Sequence, residues 1–353
     1  MNHKKTLVIL TPGFPKDETD STCLPMQQQL VDTFQKIDPN PDVIVLSFQY
    51  PYHNTEYRWR GIRVIPFNGR NKGGIARLML RQKILAVLAR IYQEHIILSL
   101  LSFWYGECAA IGHLFAKKNH LRHHCWILGQ DAKKENKYPK RTGLKADELI
   151  AISDSISTTF ELSHGLKPRH TITPGLDTSL YRAIPGEKTI DLLAVGSLIP
   201  LKRFAIFLEI VAAIKKMRPG LKAELIGNGP ERENLSKLIE KLNLQDTLTL
   251  VGELIYPEVL SRMQKAKILL HPSAYEGFPG VCMEALYAGA HVISFCRPMN
   301  ADIQQWHLVS SIEEMIQQVI PLLNSSPFIS GNILYRNIEE TATEMLALTL
   351  QQR

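Results

Sequence analysis

The stretch EGFPGVCMEA, residues 276–285, directly follows the apolar run Ile268–His271 and opens a predicted helix near Gly280. A buried strand, a glycine-containing turn and a helix in this order are typical of a parallel βα unit. Glu276 then lies in the loop and Glu284 in the first turns. A helix N-terminus suits a diphosphate, and carboxylates accept hydrogen bonds from sugar and ribose hydroxyls. The stretch fits a sugar nucleotide; the alternative is two solvated surface glutamates.

The same alternation of short apolar runs and longer amphipathic stretches extends along the whole chain. It predicts an α/β protein with doubly wound parallel sheets. A length of 353 residues indicates two domains, at roughly 150 residues each. The turn-rich segment Pro168–Glu187 is the predicted linker, so we expect domains at 1–180 and 188–330. A last predicted helix, Arg336–Gln351, has no strand after it, and we expect residues 335–353 to pack back on the first domain.

The composition is that of an ordinary globular protein, with 45% hydrophobic and 21% charged residues. It excludes disordered, collagen-like and disulfide-scaffold classes. The apolar stretch Ile96–Tyr105 is about half the roughly 20 residues that a membrane span needs. Because Met1–Lys5 leads into a strand-like run without a signal-peptide pattern, we expect a cytoplasmic protein. Five scattered cysteines without CxxC spacing indicate neither a disulfide framework nor a zinc site.

The net charge of +7 is distributed unevenly. Residues 1–180 hold 24 Lys and Arg against 16 Asp and Glu, whereas the remaining residues hold 17 against 18. The basic excess therefore belongs to the first half, which predicts an anionic partner for that domain. Within it, the predicted helix 75–92 has a broad apolar stripe with arginines beside it. Such a helix could lie on an anionic bilayer, but a core helix with a solvated basic face is the favoured interpretation.

Several motifs follow one another in the second half: VGSLIPLK at 195–202, IGNGP at 226–230, VG at 251–252, HPS at 271–273 and the two glutamates of 276–284. With these motifs the chain resembles the retaining glycosyltransferases of family 4. The likeness is looser in the first half, at 129–131 and 174–177. The resemblance implies the GT-B architecture of two facing Rossmann-like domains, with a nucleotide sugar donor in the second and a glycan or lipid-linked acceptor on the first. It also implies a role in polysaccharide or glycoconjugate biosynthesis. Together with the basic first half, this predicts a peripheral membrane protein whose first domain faces an acidic membrane or a phosphate-bearing lipid-linked acceptor.

The resemblance assigns roles by position in this sequence. Lys202 matches the lysine that contacts the donor diphosphate, Glu276 the residue that binds the transferred sugar and Glu284 the residue that binds the ribose. Further donor contacts are expected at Phe278, Gly280, Val281, Gly227, Asn228, Gly229 and Leu254. Two alternatives stay open: a plain left-handed turn at Gly227–Gly229, and hydrophobic core at Leu254 and Ile255.

The chain departs from the family pattern at some positions. Ser197 stands where the family commonly has arginine, so adjacent Arg203 is the candidate that replaces this cation. Pro279 replaces a common glycine and has no N–H to donate. On the acceptor side, Gly13 is the single glycine of a loop that usually has two, and Asp131 is a candidate for ordering an acceptor hydroxyl.

Metal and cofactor use is predicted to be absent. The sequence contains no Asp-x-Asp motif, so a divalent metal held by such a motif is not expected. His123 and His124 are adjacent in a predicted strand and, without a third ligand, indicate packing or surface residues. The nucleotide sugar is a substrate, so no cofactor is expected.

Rival functions are distinguished by single features. A catalytically inactive sugar-nucleotide-binding protein would explain Ser197 and the altered first-domain loop, and detectable sugar transfer would exclude it. An NAD-dependent dehydrogenase shares the Rossmann-like pattern but needs a GxGxxG after the first strand, where TPGFP at 11–15 offers one glycine. Nucleic-acid binding through the basic half is the weakest alternative, and no nucleic-acid partner is expected.

Overall fold

The computed structural model describes residues 4–38, 41–181, 187–325, 328 and 330–350. The chain divides into two compact units: the first unit comprises Met1–Asp177 and Arg336–Arg353, and the second unit Thr178–Tyr335. The predicted linker segment Pro168–Glu187 includes this division, but its residues 182–186 lie outside the described residues, as does Gln351, the last residue of the predicted C-terminal helix. Within the described ranges, no helix is long and apolar enough to cross a membrane.

The first unit contains an eight-stranded sheet in the order β3-β4-β2-β1-β5-β6-β7-β8. Its strands are β1 Lys5–Gly13, β2 Asp42–Tyr50, β3 Tyr57–Trp59, β4 Ile62–Pro66, β5 Ile96–Phe103, β6 Arg122–Ile127, β7 Leu149–Ala151 and β8 His170–Thr171. All neighbouring strands are parallel except β3, which runs antiparallel to β4. The central strands carry near-continuous apolar runs because helices cover both faces of the sheet.

The helices of the first unit are α1 Pro25–Ile37, α2 Gly74–Glu94, α3 Glu107–Lys118, the single turn α4 Pro139–Thr142 and α5 Asp154–His164. Ile84 and Leu88 of α2 and Ile111 and Phe115 of α3 pack on Val8 and other β-strand residues in one apolar core. This core sits on one face of the sheet.

The C-terminal helix, Ile338–Leu350, packs on α1 and β5 of the first unit. We number it α11 because five helices of the second unit precede it. The chain reaches it beside Gly175, where Leu176 donates its N–H to the carbonyl of Arg336 at 2.9 Å. A Cβ at Gly175 would lie 2.1 Å from the carbonyl oxygen of Asn337, so only glycine permits this close crossing. The structure thus places the last described helix on the first unit, as the sequence predicts.

The second unit contains a six-stranded, fully parallel sheet in the order β11-β10-β9-β12-β13-β14. The strands are β9 Ile190–Val195, β10 Ala223–Ile226, β11 Leu248–Gly252, β12 Ala266–His271, β13 His291–Ser294 and β14 Trp306–Leu308, and the helices are α6 Phe204–Met217, α7 Arg232–Lys241, α8 Tyr256–Gln264, α9 Gly280–Tyr287 and α10 Ile312–Asn324. Phe207 and Val211 of α6 and Met315 and Val319 of α10 are buried in the same core, against the strand residue Leu192.

Strand order places the candidate site. In the second unit the order reverses at β9, which lies between β10 and β12. Ligands of open α/β sheets bind outside the carboxyl ends of the strands at such a reversal. The loop after β9 carries Lys202 and the loop after β12 carries Glu276, so the topology brings these two segments side by side.

Two short strands, β3 and β14, were absent from the sequence prediction. Each has three residues, too few to display an alternating pattern. β3 returns to β4 through Arg60 and Gly61, both at positive φ, which makes it the edge strand of a tight hairpin. The two units meet between Asp177 and Thr178, whereas the sequence predicted that the first domain ends at 180 and the second begins at 188. The second unit extends to Tyr335, and the predicted second domain ends at 330.

Candidate functional site

The loops after β9 and β12 are joined by two hydrogen bonds to one backbone carbonyl. The N–H of Ala274 donates to the carbonyl of Leu201 at 3.1 Å, and the hydroxyl of Ser273 donates to the same carbonyl at 3.4 Å. Residues Pro200–Lys202 form one turn of 3₁₀ helix, which ends where α6 begins. This connection holds the backbone at Lys202 beside the backbone that leads to Glu276.

The side chains of Lys202, His271 and Glu276 meet at one carboxylate oxygen. Nζ of Lys202 lies 2.6 Å from Oε1 of Glu276, and Nε2 of His271 lies 2.8 Å from the same oxygen. The exposed side-chain fractions are 19% for Lys202 and 12% for Glu276, so the ion pair is largely shielded from water but remains reachable.

Electrostatics fix the protonation states of this cluster. Burial raises the pKa of Glu276, but the hydrogen bond from His271 and the neighbouring Lys202 ammonium outweigh it and lower the pKa to about 2. Burial lowers the pKa of His271 despite the opposing hydrogen bond to Glu276. Glu276 is therefore a carboxylate and His271 a neutral imidazole that donates from Nε2.

His271 is a site residue for which the sequence analysis gave no role. It ends β12, five residues before Glu276, and its side chain is only 2% exposed. A single histidine at the end of an apolar run usually indicates a buried packing residue. Its position at the end of β12 could have indicated the role, because side chains at the carboxyl end of a central parallel strand reach a ligand site.

Glu284 lies on α9 and is held by two tyrosines. The hydroxyl of Tyr256 donates to Oε1 of Glu284 at 2.8 Å, and the hydroxyl of Tyr181 donates to the backbone carbonyl of Glu284 at 3.2 Å. Burial raises the pKa of Glu284 to about 7, although the bond from Tyr256 opposes that change. The sequence predicted Glu284 as a site residue and missed both tyrosines, which precede it by 28 and 103 positions.

The start of α9 is an open helix terminus between the two glutamates. Pro279 stands at the N-cap without a side-chain cap, and the N–H of Gly280 donates to the carbonyl of Phe278. A Cβ added at Gly280 would meet no atom within 4 Å. Phe278 and Val281 are half-buried on either side of it. The first turn of α9 is thus accessible to an anion, which its N–H groups and dipole favour.

The glycine loop 227–229 supports the loop after β9. The N–H of Leu198 donates to the carbonyl of Asn228 at 2.9 Å. A Cβ at Gly227 would lie 1.9 Å from the carbonyl oxygen of Gly196, and one at Gly229 2.6 Å from that of Leu198. Their φ angles, 145° and 155°, lie outside the left-handed helical region. Both glycines permit close backbone packing at positive φ, which gives the loop a structural role, and its contact with a donor stays a prediction.

Ser197 and Arg203 flank Lys202 on this surface. Both are exposed. Arg203 has φ 53° at the N-cap of α6, and its guanidinium lies 5.3 Å from the centre of the Phe295 ring. Leu254 is half-buried and Ile255 is 55% exposed. Leu254 and Ile255 therefore lie outside the buried core, and they directly precede Tyr256 in the chain.

A comparison with protein families matches residues 181–315 to the model described as "Glycosyl transferases group 1". The second unit is a glycosyl transferases group 1 domain. The match spans every residue of the Lys202, Glu276 and Glu284 arrangement. Membership of family 4 within this group stays a prediction.

Curated relatives resemble the glycosyl transferases group 1 domain rather than the whole chain. The Gpi3 subunit of phosphatidylinositol N-acetylglucosaminyltransferase from Schizosaccharomyces pombe is 27% identical over 164 residues, which cover 45% of this chain and 36% of that protein. A 2-deoxystreptamine N-acetyl-D-glucosaminyltransferase from Niallia circulans is 28% identical over 158 residues, or 45% of this chain and 38% of that protein. The chain therefore spans little more than a third of the length of these relatives.

Solved structures resemble the entire chain in fold. A sucrose-phosphate synthase from Thermosynechococcus elongatus has a TM-score of 0.70 at 15% identity, covering 99% of this chain and 97% of the other. HepE from Anabaena, in complex with UDP-glucose, has a TM-score of 0.66 at 16% identity, covering 99% and 96%. The GT-B fold class with two Rossmann-like parallel-sheet units is thereby confirmed.

The two predicted acceptor-side residues, Gly13 and Asp131, lie in the first unit. The Asp131 carboxylate is buried and accepts backbone N–H groups from Tyr105 at 2.7 Å, Gly129 at 2.7 Å and Leu128 at 3.1 Å. Burial raises its pKa against these hydrogen bonds. Asp131 organises the loop after β6, and its oxygens are already engaged, so the geometry does not support an acceptor-binding role.

Gly13, the other predicted acceptor-side residue, is covered by neighbouring side chains. It ends β1 and is buried, and a Cβ there would lie 3.6–3.8 Å from Cys23, Tyr50 and Leu24. The segment around Cys23 thus covers Gly13 in this structure. Sequence reasoning could not foresee that the chain folds back over the loop.

The remaining histidine prediction concerned packing. His123 and His124 are buried in β6, and Nε2 of His123 lies 2.8 Å from the hydroxyl of Ser102. Burial lowers the pKa of His123 to about 3, so this ring is neutral. Over the described ranges, no group of three or more His, Cys, Asp or Glu side chains is arranged to hold a metal ion.

Proposed function

We propose that this chain is a retaining, metal-independent glycosyltransferase that moves a sugar from a nucleoside diphosphate sugar to a hydroxyl of a glycan or lipid-linked acceptor. The observation that carries the proposal is the convergence of Lys202, Glu276 and the start of α9. One cation, one ionised carboxylate and one helix terminus lie around the same point. These are the groups that a sugar diphosphate needs: positive charge for the phosphates and an acceptor for sugar hydroxyls.

The donor would bind along α9. In this proposal Glu284 accepts hydrogen bonds from the ribose hydroxyls, and the base lies against Leu254, which precedes Tyr256. The diphosphate lies over the N-terminus of α9, and the sugar hydroxyls bond to the carboxylate of Glu276. The order base, ribose, diphosphate and sugar follows the order of these groups in a nucleotide sugar.

Bond cleavage would be driven by charge stabilisation at the leaving group. As the bond from the anomeric carbon to the diphosphate breaks, negative charge develops on the diphosphate. Lys202 and the N–H groups of α9 stabilise that charge, and preorganised groups of this kind usually contribute more to rate acceleration than any other effect in an enzyme. The acceptor oxygen bonds to the anomeric carbon on the face that the diphosphate leaves. Its proton passes to a diphosphate oxygen, because this group lies on the same face and has just gained charge.

His271 would act as a positioning residue. Its Nε2–H fixes Oε1 of Glu276, so that the other carboxylate oxygen remains for the sugar. Lys202 already bonds the same Oε1, which keeps its ammonium close to the place where the diphosphate would lie.

The proposal is tested by a donor screen followed by a transfer assay. Thermal shift across UDP-, GDP- and ADP-sugars should identify one base that raises the melting temperature, since a ligand of the folded state stabilises it. The selected donor is then incubated with candidate glycan and lipid-linked acceptors, and the released nucleoside diphosphate and product are measured. Retained anomeric configuration by NMR and full turnover in EDTA support the proposal. Donor binding without transfer to any acceptor would favour the inactive sugar-nucleotide-binding alternative instead.

A further inference from the structure

The start of α2 exposes an apolar face that does not contribute to the core. All ten residues from Arg70 to Met79 are exposed, and among them Ile75 is 78% exposed, Leu78 58% and Met79 56%. Tyr52 lies beside this segment and is 60% exposed. Exposed apolar side chains that cluster in this way mark an interaction surface more often than scattered ones do.

The geometry of α2 separates this face from the core. Leu80, Ile84 and Leu88 are buried, and they recur every four residues along the face that packs on the sheet. At about 100° per residue, Ile75 projects about 180° away from the centre of that buried face, and Leu78 and Met79 about 120–140° away. The broad stripe in the sequence is therefore two stripes on opposite sides, and only one of them is core. The favoured interpretation of the whole stripe as a core face is wrong for its first turn.

Positive charge surrounds the exposed face. Segment 70–79 contains Arg70, Lys72 and Arg77 and no acidic residue. Arg70 donates to the neutral acceptors Asn68 Oδ1 at 2.7 Å and the Tyr52 carbonyl at 3.4 Å, and its guanidinium lies 5.2 Å from the centre of the Tyr52 ring. Lys72 has no ion pair with an acidic side chain in the described part of the chain.

A second basic group adjoins the first through α4. The guanidinium of Arg81 donates to the hydroxyl of Tyr138 at 3.3 Å, next to the exposed Lys137, Lys140 and Arg141. One acidic side chain, Glu107, lies here and pairs with Arg81 at 2.8 Å; its distance to Arg77 is 3.9 Å. The cations of this surface thus outnumber its carboxylates.

We propose that segment 70–79, with Tyr52 and the basic residues beside it, docks on an anionic lipid bilayer. The apolar side chains of Ile75, Leu78 and Met79 enter the headgroup boundary, and Arg70 and Lys72 contact lipid phosphates. Apolar residues ringed by Lys and Arg on one helix face have the chemistry that binds such a surface. A soluble protein partner would need carboxylates arranged around an apolar pocket to match this face. An anionic bilayer offers negative headgroups and an apolar interior along its whole surface.

The position of the segment relates this docking to the proposed transferase. α2 follows β4, so its first turn lies at the carboxyl edge of the first-unit sheet. In the proposed function, which this step rests on, a lipid-linked acceptor held at that edge would remain in its bilayer. The docking itself does not depend on that function, so an experiment can contradict the membrane proposal and leave the proposed transferase activity intact, or the reverse.

The test uses the full chain and vesicles of one part phosphatidylglycerol to two parts phosphatidylcholine. Wild-type protein should sediment with these vesicles at low salt, and less with pure phosphatidylcholine vesicles or at high salt. The variant I75S/L78S/M79S should lower the partition coefficient by roughly tenfold or more, and R70S/K72S by about tenfold. The matched controls L114S/L162S and K117S/K118S, exposed residues on α3 and α5 away from this edge, should bind as wild type.

Tryptophan fluorescence reports directly whether the start of α2 inserts into the bilayer. Ile75→Trp and Leu162→Trp place an indole at sites that are 78% and 83% exposed. With anionic vesicles, the emission of Ile75→Trp should shift to shorter wavelength relative to wild type, and that of Leu162→Trp should not.

Three results would overturn the proposal. One is wild-type protein that does not bind anionic vesicles at low salt. Another is equal loss of binding in the control variants, which would indicate general attraction by the basic unit. The third is a wild-type dimer in sedimentation velocity that I75S/L78S/M79S dissociates without lipid, which would make a second copy of this chain the occupant.

Discussion

Nζ of Lys202 lies 2.6 Å from Oε1 of Glu276, although the two residues are 74 positions apart in the chain. The adjacency of β9 and β12 creates this pair, and His271 completes it at the same oxygen. An ion pair shielded to this degree needs additional hydrogen bonds to offset the loss of hydration. The carboxyl edge of β9 and β12 therefore holds opposite charges ready for a ligand that carries both phosphates and hydroxyls.

Donor binding should depend on pH through Glu284. Its pKa is raised to about 7, while a carboxylate is the better acceptor for two ribose hydroxyls. The ionised fraction rises roughly tenfold between pH 6 and pH 8, so nucleotide affinity should rise by up to that factor. Isothermal titration of the nucleoside diphosphate across this range measures it. Glu284→Gln should remove the pH dependence and the exposed control Glu258→Gln should keep it; a slope that persists in Glu284→Gln would contradict the assignment.

The same group has a stability consequence of known sign. Because the folded pKa of Glu284 is raised, the folded state holds a proton that the unfolded chain releases above its ordinary pKa. The free energy of unfolding should therefore decrease as pH rises from about 4.5 to about 7, and Glu284→Gln should lessen that decrease. Urea unfolding of both proteins across this range provides the comparison.

Tyr256 should tune Glu284 rather than contact the sugar. Its hydroxyl lowers the pKa of Glu284 against the effect of burial, so Tyr256→Phe should move the midpoint of the pH-dependent binding upward. Affinity at pH 8 should fall more than affinity at pH 9, where the carboxylate is restored. Tyr92→Phe in the first unit is the control. An unchanged midpoint in Tyr256→Phe would argue that the hydroxyl only packs.

Gly227 should be intolerant of any side chain. A Cβ there would lie 1.9 Å from the Gly196 carbonyl oxygen, and φ is 145°. We expect Gly227→Ala to cost about 3 kcal/mol or more in the free energy of unfolding. At Gly220 a Cβ meets no atom within 4 Å, so Gly220→Ala should stay within about 0.5 kcal/mol of wild type. Equal stability of the two variants in urea unfolding would refute the close-packing role.

Asp131 should stabilise the first unit without affecting the donor. Its carboxylate accepts three buried N–H groups, so Asp131→Ala leaves them unpaired and should cost about 2–4 kcal/mol. The exposed control Asp147→Ala should change stability little. Nucleotide affinity of folded Asp131→Ala should match wild type. A stable Asp131→Ala with impaired acceptor use would instead restore the acceptor-binding role.

The local pattern of the chain predicted most helices and strands, because βα units repeat their hydrophobic periodicity within a few residues. The resemblance to family 4, carried by ordered motifs, assigned donor-binding roles to Lys202, Glu276 and Glu284, and these roles stay predictions. It could not show that Lys202 and Glu276 touch, since strand order is a tertiary property. His271 and Tyr256 were missed for the same reason: each gains its role from a partner on another element.

The first turn of α2 shows a second limit. Its apolar residues fall in the same run as the core residues Ile84 and Leu88. Periodicity alone therefore assigned both groups to one apolar stripe. Ile75 and Leu78 are exposed in the structure, so the sequence period of a helix does not by itself show which of its apolar residues are buried. Cytoplasmic placement stays a prediction of the sequence alone.

The central claim is that Lys202 and Glu276 form the reaction centre of a sugar transfer. The decisive measurement is steady-state turnover of the donor selected by thermal shift, for Lys202→Ala, Glu276→Gln and the control Lys237→Ala. Lys237 and Glu233 form another Lys–Glu pair at 2.6 Å in the same unit, but both are exposed. We predict that Lys202→Ala and Glu276→Gln each lower kcat by roughly 10²-fold or more with the fold retained, while Lys237→Ala turns over as wild type. Wild-type turnover in either site variant would contradict the account.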